Sequence, residues 1–105
     1  ISGIFGRAGQ ANYACSKGAI IGITKLLAKK YAQDGIQVNT VVPGLIDTEM
    51  AGAISNEKMS EVLDATILKR MGTTDEVAEI VAFLATEKSS YVSGTCIKVD
   101  GGFLK

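Results

Sequence analysis

Histidine is absent from all 105 residues. That excludes Ser-His-Asp and Cys-His catalysis and any His-ligated metal site. Cysteine is scarce: Cys15 and Cys96 are the only two, too few for a zinc knot or a disulfide framework. Net charge is absent as well, because 11 Lys plus Arg balance 11 Asp plus Glu. A nucleic-acid or anionic-membrane partner would call for a basic patch, so neither is expected. No apolar run reaches the roughly 18 residues of a membrane span. Proline occurs once and Gly 12 times in a chain that is 47% hydrophobic. This is globular composition at the size of one small domain.

What is present alternates between helical and strand periods, which points to an α/β fold with a parallel sheet. The chain opens at Ile1 inside what reads as a strand end, and residues 3–10 read as a Gly-rich loop. A long helix is expected over 11–33, with Ile20, Leu27 and Tyr31 on its buried side. Lys29 and Lys30 suit the negative end of its dipole. Gly18 and Gly22 lie four apart, each costing ~1 kcal/mol against Ala. They are either a tolerated weakness or a place where another backbone approaches. Gly35 stops this helix, and a buried strand is expected over 36–42, ended by Pro43-Gly44.

A polar loop over 47–56 leads to a weaker helix near 57–66, with Met50, Ile54, Met59, Val62 and Leu63 as an apolar side. Thr73 and Glu76 have the spacing of a capping box, which starts a helix whose inner face carries Val77, Ile80, Val81 and Leu84. A last strand over 95–99 ends at Asp100-Gly101-Gly102. Two strands and two substantial helices cannot cover both faces of a parallel sheet, so an N-terminal part is expected upstream.

Tyr13 and Lys17 are four apart at the start of the long helix, so both leave one face. A phenol ordinarily titrates near pH ~10 and is a poor acid at neutrality. A neighbouring ammonium favours the phenolate and makes the hydroxyl a better proton donor to a carbonyl oxygen. The plain structural alternative is an amphipathic helix with a part-buried Tyr and a surface Lys.

The segments GRAGQANYACSKGAI, VNTVVPGLIDTEM and SSYVSGTCIKVDGG, in this order and spacing, resemble the short-chain dehydrogenase/reductase family. The likeness is to its bacterial 3-oxoacyl-[acyl-carrier-protein] reductases and runs through the whole chain. It implies that residues 1–105 are the C-terminal part of a single NAD(P)-binding Rossmann-like domain, a doubly wound parallel sheet. It implies NADPH, or else NADH, as cofactor, and a small-molecule or acyl-carrier-linked carbonyl substrate. It also implies a cytoplasmic homo-oligomer, a tetramer in the first instance.

By the same resemblance Tyr13 is the general acid. Lys17 binds the nicotinamide ribose and lowers the Tyr pKa. Pro43, Gly44, Ile46 and Thr48 line the nicotinamide end. Residues 47–66 match a substrate lid whose Met and aliphatic side chains suit either an acyl chain or the protein's own packing. The family's catalytic Ser falls before Ile1 by its usual spacing, so Ser2 is not assigned. Its catalytic Asn and glycine-rich turn also belong upstream. By helix geometry Ser16 points about 100° around from Lys17 and is not an obvious nucleophile. Asn39 is expected to tie neighbouring backbone, and Arg70 to serve a subunit contact or helix-end packing. Ile67 replaces a frequent Pro, which implies a less rigid turn. Cys15 and Cys96 are expected to be reduced and part-buried. The alternatives are a sugar, polyol or other secondary-alcohol dehydrogenase, or a non-catalytic assembly module.

Overall fold

A computed structural model describes residues 10–104. The expected strand end at Ile1, the loop over 3–9 and Ser2 lie outside the described residues. Helix α1 spans Ala11–Tyr31 and runs on into a 3-10 turn at Ala32–Asp34. It carries Lys29 and Lys30 in its last turn, where cations oppose the carbonyl end of the dipole. Gly35 then takes φ +73°, a left-handed conformation that costs a residue without Cβ little, and the helix stops.

Strand β1 is Thr40–Pro43 and strand β2 is Cys96–Val99. They pair in parallel, Thr40 opposite Cys96 and Pro43 opposite Val99. The intervening chain supplies the crossover that a parallel pair demands. It holds a 3-10 turn at Glu49–Ala53, helix α2 at Asn56–Asp64 and helix α3 at Thr74–Leu84. Ser55 caps α2 through Lys58 N, and Thr73 and Glu76 form the expected capping box on α3.

Several expectations are corrected. β1 begins at Thr40, not at residue 36, because residues 37–39 bond chiefly with the 89–95 loop instead of a strand. Val38 O accepts from Gly94 N at 2.8 Å, and the Gln37 amide donates to Ser89 O at 2.6 Å. The strand is not largely buried: Val42 alone is buried in it. The buried residues of α1 are Thr24 and Ala28, while Ile20 is 49% exposed and Leu27 and Tyr31 are half-buried. Small side chains win there because they let the helix lie close to the strands. Ala28 Cβ sits within 3.4 Å of where a Cβ on Gly94 would stand, and the Thr24 and Thr40 hydroxyls hydrogen-bond.

A Cβ on Gly22 would meet nothing within 4 Å beyond its own helix, so no described backbone from elsewhere packs against that side of it. Met50 is 85% exposed and belongs to no apolar side, and Val81 points outward from α3. Cys15 is exposed and Cys96 half-buried, both as free thiols. Ala28, Val42 and Ala51 are the only buried apolar residues among those described. Leu26, Ile23 and Phe83 remain exposed. No helix of the described residues is long and apolar enough to cross a membrane.

Candidate active site

Thr24 of α1 stands at Thr40, and Ala28, one turn further on, stands at Gly94, which lies abreast of Val38. Moving up the helix therefore means moving back along the strands, so α1 runs antiparallel to β1 and β2. Tyr13, eleven residues or about 16 Å before Thr24 on this helix, projects toward the end of the sheet where β1 terminates. Tyr13 and Lys17 thus face the same end as Pro43 and Gly44.

Within that helix start, the Lys17 ammonium lies 5.4 Å from the centroid of the Tyr13 ring, a cation over an aromatic face. Tyr13 is half exposed, and no ion pair among the described residues engages Lys17. Ser16 spends its hydroxyl on Tyr13 O at 2.8 Å, within its own helix.

The Pro43-Gly44 turn is held by Asp100. Gly44 N donates to Val99 O at 3.0 Å, extending the ladder one residue beyond β1. A Cβ on Gly44 would stand 2.7 Å from Asp100 Cα, so only glycine fits this approach. Asp100 Oδ1 accepts from Gly102 N at 3.0 Å, closing a tight turn; Oδ2 is buried and has no donor among the described residues.

Ile46 makes a parallel bridge with Gly72: Gly72 N donates to Leu45 O and Asp47 N to Gly72 O, both at 2.9 Å. Thr48 is exposed, and its carbonyl accepts from Ala51 N at 2.9 Å to open the 3-10 turn. A cleft of about 430 Å³ runs beside this neck, lined in part by Leu45, Ile46, Ile67, Leu68 and Gly102. Tyr13 and Lys17 are not in its lining, so the cleft is no part of the Tyr-Lys pair. The structure brings Gly44 to Asp100, Ile46 to Gly72, and Tyr13 to Lys17. The helix pair and the 43–48 turn share an end of the sheet without a hydrogen bond between them among the described residues.

Arg70 and Glu76 carry the strongest electrostatics. The guanidinium donates to both carboxylate oxygens, at 3.0 and 2.6 Å, and Glu76 Oε2 also accepts from Thr73 N at 2.8 Å. The Arg70 hydrogen bonds, helped by that from Thr73, lower the Glu76 carboxyl to about 2. Arg70 is raised in turn, first by its hydrogen bond to Glu76 and then by its charge. Of the two roles expected for Arg70, helix-end packing is therefore the one observed within this chain. Asn39 does tie neighbouring backbone: its amide donates to Val92 O at 2.9 Å and accepts from Thr95 N at 3.2 Å. Sequence reasoning missed the contact of Asp100 with Gly44. Its only signal was an acid placed before two glycines.

A family profile described as Enoyl-(Acyl carrier protein) reductase matches residues 1–104. This chain belongs to the short-chain dehydrogenase/reductase family. It is 43% identical over 102 residues to the 3-oxoacyl-[acyl-carrier-protein] reductase FabG of Salmonella typhimurium, covering 97% of this chain and 42% of that protein. Against FabG of Thermotoga maritima it is 43% identical over 104 residues, covering 99% and 42%. The chain thus spans well under half the length of these relatives.

Among solved structures of the short-chain dehydrogenase/reductase fold, one from Brucella melitensis bears the name glucose/ribitol dehydrogenase. It superposes with TM-score 0.90 and 34% identity over 100% of this chain and 42% of that one. The 3-oxoacyl-[acyl-carrier protein] reductase of Brucella melitensis superposes with TM-score 0.85 and 37% identity, covering 90% and 35%. The α/β fold with its parallel strand pair is accordingly part of a Rossmann-like short-chain dehydrogenase/reductase fold.

Proposed function

We propose that the protein carrying this chain reduces a carbonyl group to a secondary alcohol with a nicotinamide cofactor, and that its substrate is a 3-oxoacyl thioester. The observation that carries this reading is Lys17 seated over the Tyr13 ring at an exposed helix start, in a chain of this family. A carbonyl oxygen gains negative charge as its carbon is reduced and needs a positioned proton. Tyr13 Oη gives that proton to the carbonyl oxygen, and an O–H bond forms as the phenolic O–H breaks.

The donor set suits a nicotinamide riboside. The Lys17 ammonium offers three donors and no carboxylate claims it among the described residues, so it would be the residue to hold the ribose hydroxyls. The nicotinamide, when bound, supplies the hydride to the carbonyl carbon. Pro43, Gly44 and Ile46 would form the wall at the same end of the sheet, and the Thr48 hydroxyl, on an exposed residue at the head of the 47–66 segment, would contact the cofactor. Residues 47–66 act as the lid that closes over the substrate and excludes water.

A 3-oxoacyl thioester presents a carbonyl oxygen that a tyrosine acid can protonate. The FabG relatives also bear that name at 43% identity. NADPH, a homotetramer and a cytoplasmic setting follow the same likeness. The likeness to a glucose/ribitol dehydrogenase structure supports a polyol or other secondary alcohol as the second substrate class. Assay of the full-length protein with an acetoacetyl thioester, a polyol and both reduced and oxidised nicotinamides tests the reading. Oxidation of the polyol without reduction of the thioester overturns the substrate. No turnover with either substrate overturns the activity.

A further inference from the structure

The segment after β2 does not hang free. It turns through Gly101 and Gly102, at φ +63° and +79°, and runs back antiparallel beside residues 65–68. Ile67 N donates to Gly102 O and Leu68 N to Gly101 O, both at 3.1 Å, and Leu104 N donates to Ala65 O at 2.9 Å. Thr66 pairs with Phe103 across this ladder. Thr66 is itself buried, and its hydroxyl donates to Val62 O at 2.7 Å in the last turn of α2. The fit is tight, since a Cβ on Gly102 would stand 2.7 Å from Ile67 Cδ1.

The other end of this turn is Asp100, packed on Gly44. One short turn therefore touches both the Pro43-Gly44 wall and the stem by which the 47–66 segment returns to the sheet. The outgoing stem is pinned separately, by Leu45 and Asp47 bonding to Gly72. We infer that residues 101–104 are positioning residues that clamp the return stem of the substrate lid and so set affinity for the carbonyl substrate. This deepens the proposed reductase reading and rests on it for the substrate.

The test uses the full-length protein. Leu104 is mostly exposed in this chain, and its N–H is the group that donates to the clamp. Leu104→Pro deletes that donor and Leu104→Ala keeps it. The expected result is about fivefold faster amide exchange at residues 65–68 and a KM for the acetoacetyl thioester raised about fivefold in Leu104→Pro, since one hydrogen bond is lost. kcat and the nicotinamide KM stay near the parent values, and Leu104→Ala behaves as the parent. Unchanged exchange overturns the clamp, and faster exchange with an unchanged substrate KM overturns its role in affinity. If the parent protein reduces no carbonyl, the reductase reading falls with the affinity claim, and the exchange comparison alone decides whether the stem is pinned.

Discussion

Arg70 grips Glu76 with both terminal nitrogens, and the same carboxylate closes the capping box on Thr73 N. One side chain thereby fixes the start of α3 and ties it to the chain that leaves the 47–66 segment. The pair is exposed, so solvent and salt screen it, and its worth lies in geometry more than in charge.

That geometry predicts an acid-dependent loss of stability. The Glu76 carboxyl lies near 2 in the fold, against an ordinary value of 4.5. A lowered pKa contributes stability that is full above 4.5 and is lost as pH falls through about 2. Arg70, being raised, contributes throughout that window. The difference in urea midpoint between the parent and Glu76→Gln should therefore be greatest at pH 6 and shrink between pH 4.5 and 2. A constant difference across that range would refute the assignment.

Gly44→Ala should destabilise the protein by about 1–3 kcal/mol, because the added methyl meets backbone at Asp100 that has no side-chain freedom to give way. Urea unfolding measures it. A neutral result would mean that the two strand ends stand further apart than described.

Asn39→Ala removes the acceptor of Thr95 N and one of the two donors to Val92 O, which keeps the Gln37 amide. The expected cost is about 1–3 kcal/mol, with faster amide exchange at Thr95 and the neighbouring loop. Exchange that is unchanged at Thr95 would show that this tie does not hold the start of β2.

For the chemistry, Tyr13→Phe should lower kcat for carbonyl reduction by about 10²–10⁴ while cofactor affinity, read by nucleotide fluorescence, stays close to the parent. Near-normal turnover removes Tyr13 from the reaction.

Lys17→Ala should weaken nicotinamide binding by about 10–100-fold, the scale of a charged hydrogen-bond donor withdrawn from a ribose. Unaltered binding would leave Lys17 as nothing more than a cation lying on an aromatic ring.

The features legible in the sequence are those decided within one or two helical turns. The start of α3 at Thr73 and Glu76, the stop at Gly35, and the pairing of Tyr13 with Lys17 each need only neighbours three or four residues away. The motif segments carried the family. The extent of β1, the exposure of Ile20 and Met50, and the hold of Asp100 on Gly44 were not legible. Each depends on chain that arrives from far along the sequence. Thr40 enters a strand because Thr95 O meets its N–H, and the 65–68 stem is fixed because Gly101 and Gly102 turn the chain back onto it. Periodicity and capping are local energies that a sequence displays directly. Which distant backbone satisfies a given N–H is settled only when the chain has folded on itself.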